Sequence, residues 1–380
     1  MTDVLAELRT EFPVRESWIY LNHAAVAPLP NCVVAAVNAF LRDANRNGST
    51  GFAHWMSVRE QVRADAARLL GAQPSEVAIT TSTSQGLLTV AEGLEFGPGD
   101  EILVIQDDFP ANLIPWWRQK RRGAEVRVVP RRADGRVPAS DVLAAVTPAT
   151  KLVAIPWVLY DTGFRLDLPS IGAGLVDHPA LFCVDAIQGL GAFPIDVEAA
   201  HIDFLSADSH KWMLGMEGIG LFYVRAAALE RLDAPFTSWL SVEDPFTPWE
   251  PGRPLLPDAR RFEYASLPTM EIFGLGACLE LLLRTDPARM GPRVLELTDQ
   301  LTAGLQHLGW TLRSPRAEPT ENSGIVLATP PDRDASTWVD RLAERGVSVI
   351  PRAGGLRFSP HAWNTAEELE RLFALLRELA

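Results

Sequence analysis

Short apolar runs alternate with amphipathic stretches through the middle of the chain. The runs Val77 to Thr80, Glu101 to Ile105, Glu125 to Val129, Leu152 to Ile155, Leu181 to Val184, Phe204 to Ala207 and Gly220 to Val224 read as strands. Helical periodicity falls between many of them, at Ser84 to Leu94, Ala111 to Arg122, Ala139 to Val146 and Leu168 to Val176. This order predicts an α/β fold built on a large, mostly parallel seven-stranded sheet with helices on both faces.

The pattern changes at Pro245 to Pro257, where Pro245, Pro248, Pro251, Pro254 and Pro257 recur every third position. Such spacing reads as an irregular extended connection rather than a proline-recognition ligand. Two long helical patterns follow, Met270 to Leu283 and Val294 to Leu308. Strands Gly324 to Ala328 and Val347 to Ile350 then alternate with helices Thr337 to Arg345 and Ala366 to Leu379. A smaller C-terminal α/β lobe is expected, with the division at 15–260 and 261–380 and residues 1–14 packing with the smaller lobe. A chain of 380 residues suits two lobes better than one core.

Charge narrows the function classes. A formal charge of −13, with no basic run beyond Arg118 to Arg122, argues against an extended nucleic-acid surface. No apolar stretch reaches the roughly 20 residues that a bilayer span needs. The first residues lack the pattern of a signal peptide. Cys32, Cys183 and Cys278 are scattered through apolar segments, which fits neither a disulfide framework nor a metal site. A cytoplasmic protein is expected. Clustered metal ligands and a P-loop are both missing, which excludes the commonest metal and nucleotide chemistries.

Lysine is rare: only Lys120, Lys151 and Lys211 occur. Lys211 lies in Ser209-His210-Lys211-Trp212, between the apolar run that ends near Ala207 and the glycine-rich stretch Gly215 to Gly220. Arginine serves most surface roles but is a poor nucleophile, whereas a lysine amine condenses with an aldehyde. Upstream, Thr80-Thr81-Ser82-Thr83-Ser84-Gln85 places hydroxyls where a strand gives way to a helix. Such a turn suits a phosphate at the helix N-terminus, and it equally suits ordinary capping. Asp185 in Val184-Asp185-Ala186-Ile187-Gln188 stands at the carboxyl end of a buried strand. It is placed either to meet a cationic ring nitrogen or to cap a loop.

Taken in order, these segments resemble the class V aminotransferase family of pyridoxal-phosphate enzymes, the fold-type I group that includes cysteine desulfurases. The resemblance runs from about Tyr20 to the C-terminus. It is carried by Tyr20-Leu21-Asn22-His23-Ala24-Ala25, Asp107-Asp108-Phe109-Pro110-Ala111-Asn112, Val184-Asp185-Ala186-Ile187-Gln188, Ser209-His210-Lys211-Trp212, Arg261-Phe262-Glu263 and Arg357-Phe358-Ser359-Pro360-His361. It implies pyridoxal 5′-phosphate (PLP) as cofactor and Lys211 as the lysine of the internal aldimine and the carrier of the Cα proton. Asp185 would meet the pyridinium nitrogen, Gln188 the ring hydroxyl, and Phe109 would stack on the ring. Thr83, Ser84, Gln85 and His210 would hold the phosphate, together with Ser266 of a neighbouring subunit, so a homodimer with shared active sites is implied. Arg357 matches the substrate-carboxylate arginine, and Asn22 is expected at the substrate.

Three departures bear on the reaction. Desulfurases carry a nucleophilic cysteine shortly before the carboxylate arginine, but Pro351 to Leu356 is compressed and contains none. Asp208 stands where the family has a phosphate-binding serine, so its carboxylate is expected to turn away while Ser206 or Ser209 donates. Tyr160 replaces an asparagine near the ring. The segment Ile155 to Arg165 and the Phe109-Pro110 pair are closer to the isopenicillin N epimerase-like branch, where Trp157, Tyr160 and Trp239 would line a pocket. The expected activity is a PLP enzyme acting on the α-amino group of an amino acid through a Cα carbanion, in the manner of a class V aminotransferase. Epimerisation and C–S β-elimination without a persulfide cysteine are the alternatives, and a non-catalytic PLP-binding scaffold is a further one.

Overall fold

The computed structural model describes residues 4–266, 268–331 and 335–379. Helix α1 (Val4–Thr10), strand β1 (Ile19–Tyr20) and helices α2 (Asn31–Asn47) and α3 (Phe52–Leu70) precede the main sheet. Its strands are β2 (Val77–Thr80), β3 (Glu101–Ile105), β4 (Glu125–Val129), β5 (Thr150–Pro156), β6 (Leu181–Asp185), β7 (Phe204–Asp208) and β8 (Gly220–Val224). They lie in the order β2-β8-β7-β6-β5-β3-β4, and β8 alone runs against the rest. All seven expected strands are present. Every residue of β6, β7 and β8 is buried, which is why those segments read as nearly continuous apolar runs.

Successive side chains face opposite cores. Leu103 and Ile105 join one apolar cluster, while Ile102 and Val104 join another on the other face. The connections carry α4 (Thr83–Gly93), α5 (Ile114–Arg118), α6 (Ala139–Ala145) and α7 (Leu168–Leu175). The single helix expected over Ala111 to Arg122 is instead a short α-helix between two 3-10 turns. Pro110 and Pro115 each begin a new turn, since a proline suits a first turn but cannot donate within one.

The C-terminal part contains α8 (Thr269–Thr285), α9 (Pro287–His307), β9 (Thr311–Leu312), β10 (Val326–Thr329), α10 (Ala335–Ala343), β11 (Val347–Ser348), β12 (Ile350–Arg352), β13 (Gly355–Phe358) and α11 (Ala366–Leu379). Strands β12-β13-β10-β9 form an antiparallel sheet, while β11 pairs in parallel with β1. The run Val347 to Ile350 therefore changes partner at Val349 instead of forming one strand.

The apolar clusters cut across the division expected at residue 260. Ile272, Leu275 and Leu279 of α8 share the large lobe's core with Leu8 and Phe12, and Ile19 and Leu21 share the small lobe's core with Trp338 and Phe358. Arg9 nevertheless reaches Glu368 of α11 at 2.9 Å, and the Phe12 ring stacks on Trp363. Helix α9 passes from one core to the other, with Val294 in the first and Leu301 in the second. We therefore propose the lobe division inside α9. Among the described residues no helix is long and apolar enough to cross a membrane.

Candidate active site

The carboxyl ends of β2, β3, β5, β6 and β7 open into one cleft enclosing about 620 Å³, the edge at which open α/β sheets hold ligands. Lys211 lies in the turn after β7. Its Nζ stands 6.0 Å from the centroid of the Phe109 ring, and that ring meets Tyr160 edge-on at 5.3 Å. Burial brings the Lys211 amine down to about 8. Asp185 and Asp208 oppose this shift, and Arg357 and Arg352 add to it. A buried lysine of this kind is easily brought to the neutral, nucleophilic form.

Asp185 ends β6 and is 6% exposed. Its Oδ1 accepts from the Ile187 N–H at 2.9 Å and its Oδ2 from Asn112 Nδ2 at 2.9 Å. Burial raises its pKa, while the Ile187 N–H, the Lys211 charge and Asn112 favour the carboxylate. Gln188 lines the cleft, but its amide is held at both ends: Nε2 donates to Ala24 O and Oε1 accepts from Trp212 Nε1, each at 3.0 Å. One N–H and one lone pair remain for a ligand.

The hydroxyl turn sits at the start of α4. Ser82 caps the helix by accepting from the Gln85 N–H at 3.1 Å, and Thr83 Oγ1 accepts from the Asp208 N–H at 2.8 Å. Gly86 allows this close seating, since a Cβ there would overlap Ser206 Oγ. Thr83, Ser84, Asp208 and His210 line the cleft. Gln85 does not: its Oε1 accepts from the Thr81 N–H and hydroxyl at 2.8 and 2.7 Å.

The expected substitution for Asp208 is also corrected. Ser206 donates to Thr83 O at 3.0 Å and Ser209 to Met216 O at 2.7 Å, so neither hydroxyl points to the cleft. Asp208 does not turn away. Its Oδ1 lies 2.8 Å from His210 Nδ1, which puts a cationic partner beside the carboxylate whenever His210 is protonated.

Arg357, on β13, is buried; its Nη1 donates to Tyr160 O at 2.7 Å, while Nε and Nη2 have no partner. Burial and the nearby Arg352 lower its guanidinium to about 10. Asn22 pairs with Ser359 in an isolated bridge and lies outside the cleft lining, with its buried Oδ1 unpartnered. Trp157 is packed in the large core, and only Tyr160 of the three expected aromatics reaches the cleft. Trp239 lines a second cavity with Phe52, Trp55, Phe246 and the exposed Ser266. Ser82, Asp108 and Asn112 also line the Lys211 cleft. Asp108 and Asn112 belong to the segment Asp107 to Asn112 that carries the family resemblance, but no spacing rule marks them as site residues.

The residues fit PLP. A carboxylate for the ring nitrogen, an aromatic ring and a buried lysine line the same cleft. Thr83 and Ser84 at the start of α4, with His210 after β7, suit the phosphate; Arg357 lies outside the cleft lining, but its charge acts on Lys211 and its two unpartnered donors suit a substrate carboxylate. Fold and site together define a fold-type I PLP-dependent enzyme.

Within that class, the chain belongs to the class V aminotransferase family, whose profile (Aminotransferase class-V) matches residues 19–372. A probable cysteine desulfurase of Methanothermobacter thermautotrophicus is 28% identical over 398 residues, covering 98% of each chain. The apo structure of the cysteine desulfurase from Thermococcus onnurineus NA1 superposes with a TM-score of 0.90 at 25% identity, over 98% of this chain and 97% of that one. The enzyme C-DES is similar too. A variant with glycine covalently linked to its PLP cofactor gives a TM-score of 0.89 at 25% identity, over 97% and 98% of the two chains. The complex of this cystine C–S lyase with its product cysteine persulfide gives 0.88 at 25% identity, over 96% and 98%.

Proposed function

We propose that the protein cleaves the C–S bond of a cystine- or cysteine-type amino acid by β-elimination, leaving the sulfur on the departing fragment. Most of the similar proteins are named for C–S chemistry, although one relative from Bacillus subtilis, 27% identical, is named an uncharacterized aminotransferase; the balance favours this reading over the transamination suggested by the motifs alone. One observation separates it from desulfuration onto the enzyme: no cysteine lines the Lys211 cleft. Cys183 and Cys278 are buried in the two large-lobe cores, and their thiols are pushed up by burial. Cys32 is half-buried on α2, and burial together with Glu11 holds its thiol up at about 11. None is poised as a thiolate to receive sulfur.

Bound PLP supplies an electron-withdrawing ring that stabilises negative charge at the substrate Cα. Asp185 would hold the ring nitrogen, Phe109 would cover the ring, and Thr83, Ser84 and His210 would retain the phosphate. The free N–H groups of Arg357 would grip the α-carboxylate and orient the bonds at Cα. Lys211, the basic group beside Phe109, takes the Cα proton. The Cβ–S electron pair then leaves with sulfur. For cystine the balance is cystine plus water giving cysteine persulfide, pyruvate and ammonia, with no oxidant or reductant. Ser266, exposed and away from Lys211 in its own chain, supports a homodimer in which it serves the partner's phosphate. Three unpaired cysteines suit the reducing cytoplasm.

Product analysis after incubation of the PLP-loaded protein with cystine and cysteine tests the proposal. Pyruvate and ammonia are expected from both, with free persulfide from cystine and sulfide from cysteine. Alanine would instead show desulfuration, a sulfur-bearing 2-oxo acid transamination, and a D-amino acid epimerisation; any of these as the main product rules out the lyase.

A further inference from the structure

Asp108 is a buried carboxylic acid in the wall of the Lys211 cleft with no role in the chemistry described so far. It is 5% exposed. Its Oδ1 accepts from the Phe109 N–H at 2.7 Å, while its buried Oδ2 has no hydrogen-bond partner. The preceding Asp107 adopts φ 52, an uncommon conformation outside glycine that tends to mark functional sites and is held here where β3 turns into the cleft. Asn112, which donates to Asp185 Oδ2 at 2.9 Å, lines the same cleft wall. Asp108 and Asp185 are thus two buried acids in one wall.

The groups around Asp108 do not neutralise it. Asp185 faces it from β6 with like charge, and Tyr160 faces it from the loop after β5. Arg131, beyond β4, favours its ionised form, but its N–H groups bind Asp161 Oδ2 at 2.7 Å and the Gln106 and Asp107 carbonyls at 2.8 Å. Two buried carboxylates in one cleft wall cannot both ionise cheaply, so the charge of one bears on the other.

We propose that Asp108 is a positioning residue for Asp185, taking up and releasing a proton and, by its charge in the same cleft wall, setting how firmly Asp185 holds the ring nitrogen of PLP. Burial pushes the Asp108 carboxyl up to about 7, with the Phe109 N–H opposing and Asp185 adding to the shift. The acid is therefore neutral below pH 7 and charged above it. Once charged, it adds a second negative potential beside the ring nitrogen and makes that nitrogen's proton harder to lose. The cofactor is then bound more tightly on the alkaline side of neutrality. The proposal rests on the PLP reading of the site but not on which amino acid is cleaved.

The test compares the wild type with Asp108→Asn, which keeps the acceptor for the Phe109 N–H but cannot titrate. Two quantities are followed from about pH 6 to about pH 8: the infrared carbonyl band of protonated carboxyl groups and the PLP dissociation constant. We expect the wild type to lose a protonated-carboxyl band that the variant never shows. The wild-type dissociation constant should fall by up to about tenfold more than the variant's across the interval. Parallel binding curves, or the same titrating band in both proteins, overturn the proposal alone. A wild type that binds no PLP overturns the cofactor reading and this proposal with it. Should the variant fail to fold, the wild-type spectrum decides, because the absence of any aspartic-acid band fading near neutrality refutes a titrating Asp108.

Discussion

Arg357 Nη1 donates to the carbonyl oxygen of Tyr160 at 2.7 Å, across the boundary between the small lobe and the large sheet. One guanidinium edge is thereby fixed by the backbone, and Nε and Nη2 remain as a buried, unpartnered fork. Replacing Arg357 by lysine keeps the charge but removes the fork. We expect the half-saturating amino-acid concentration to rise by at least about tenfold, since removing one side of a buried charged contact costs about 2–5 kcal/mol. Titration of the bound cofactor's visible absorption with cystine checks this, and an unchanged midpoint would remove Arg357 from the substrate site.

Lys211 should leave a signature in the stability of the cofactor-free protein. Burial lowers its amine from 10.5 to about 8, so between those values the unfolded chain binds a proton that the folded chain lacks. Stability from this group therefore rises with pH across that window, and below about 8 the penalty is constant because both states are protonated. Lys211→Met should be more stable than the wild type at neutral pH, with the gap closing above about pH 10. Urea unfolding at both pH values measures it; a gap independent of pH would contradict the burial of this amine.

The large lobe contains a buried ion pair that bears on the phosphate turn. Arg63 Nη1 meets Glu263 Oε1 at 2.6 Å, and the same oxygen accepts from the Ile79 N–H at 2.7 Å, in the strand leading to Ser82. Glu263→Ala leaves the guanidinium, which is 2% exposed, with Glu60 as its remaining carboxylate partner at 3.0 Å, and should cost about 1–3 kcal/mol. Replacing both partners by apolar residues of similar volume should recover most of that loss. Chemical denaturation of the single and double variants tests the coupling.

Gly86 is the point where helix α4 touches strand β7, and any Cβ there would collide with Ser206. Gly86→Ala should destabilise by about 1–3 kcal/mol. Because α4 carries Thr83 and Ser84 into the cleft, PLP affinity should fall more than this loss of stability alone explains. Equilibrium dialysis against PLP under conditions where the variant is folded gives the answer.

If sulfur leaves with the substrate fragment, the protein's thiols are dispensable. Alkylation of the half-buried Cys32 in the folded protein, driven at alkaline pH because its thiol is held up at about 11, should leave cystine turnover within about twofold, because this thiol lies on α2 outside the Lys211 cleft. Loss of turnover in proportion to labelling would show that a cysteine takes part.

The amino-acid sequence by itself determined the sheet, because strands buried on both faces are written as short unbroken apolar runs. It also pointed to the cofactor, through the resemblance that a scarce lysine, a strand-end aspartate and a hydroxyl turn, taken in order, bear to the class V aminotransferase family; each belongs to a local segment with its own signal. What it could not determine were relationships between segments far apart in the chain. The break at Val349 is of this kind, since β11 and β12 pair with different partners although their sequence is continuous. The burial of Ser206 and Ser209 is another case: the hydroxyls expected at a phosphate are bonded to carbonyls, and a hydroxyl carries no mark of where it points. Asn112 and Asp108 became parts of the site only when the turn after β3 was set against the end of β6. Hydrogen bonds and charge coupling act over a few ångströms in space, so the assembled sheet, and not the order of residues, decided which acids line one cleft.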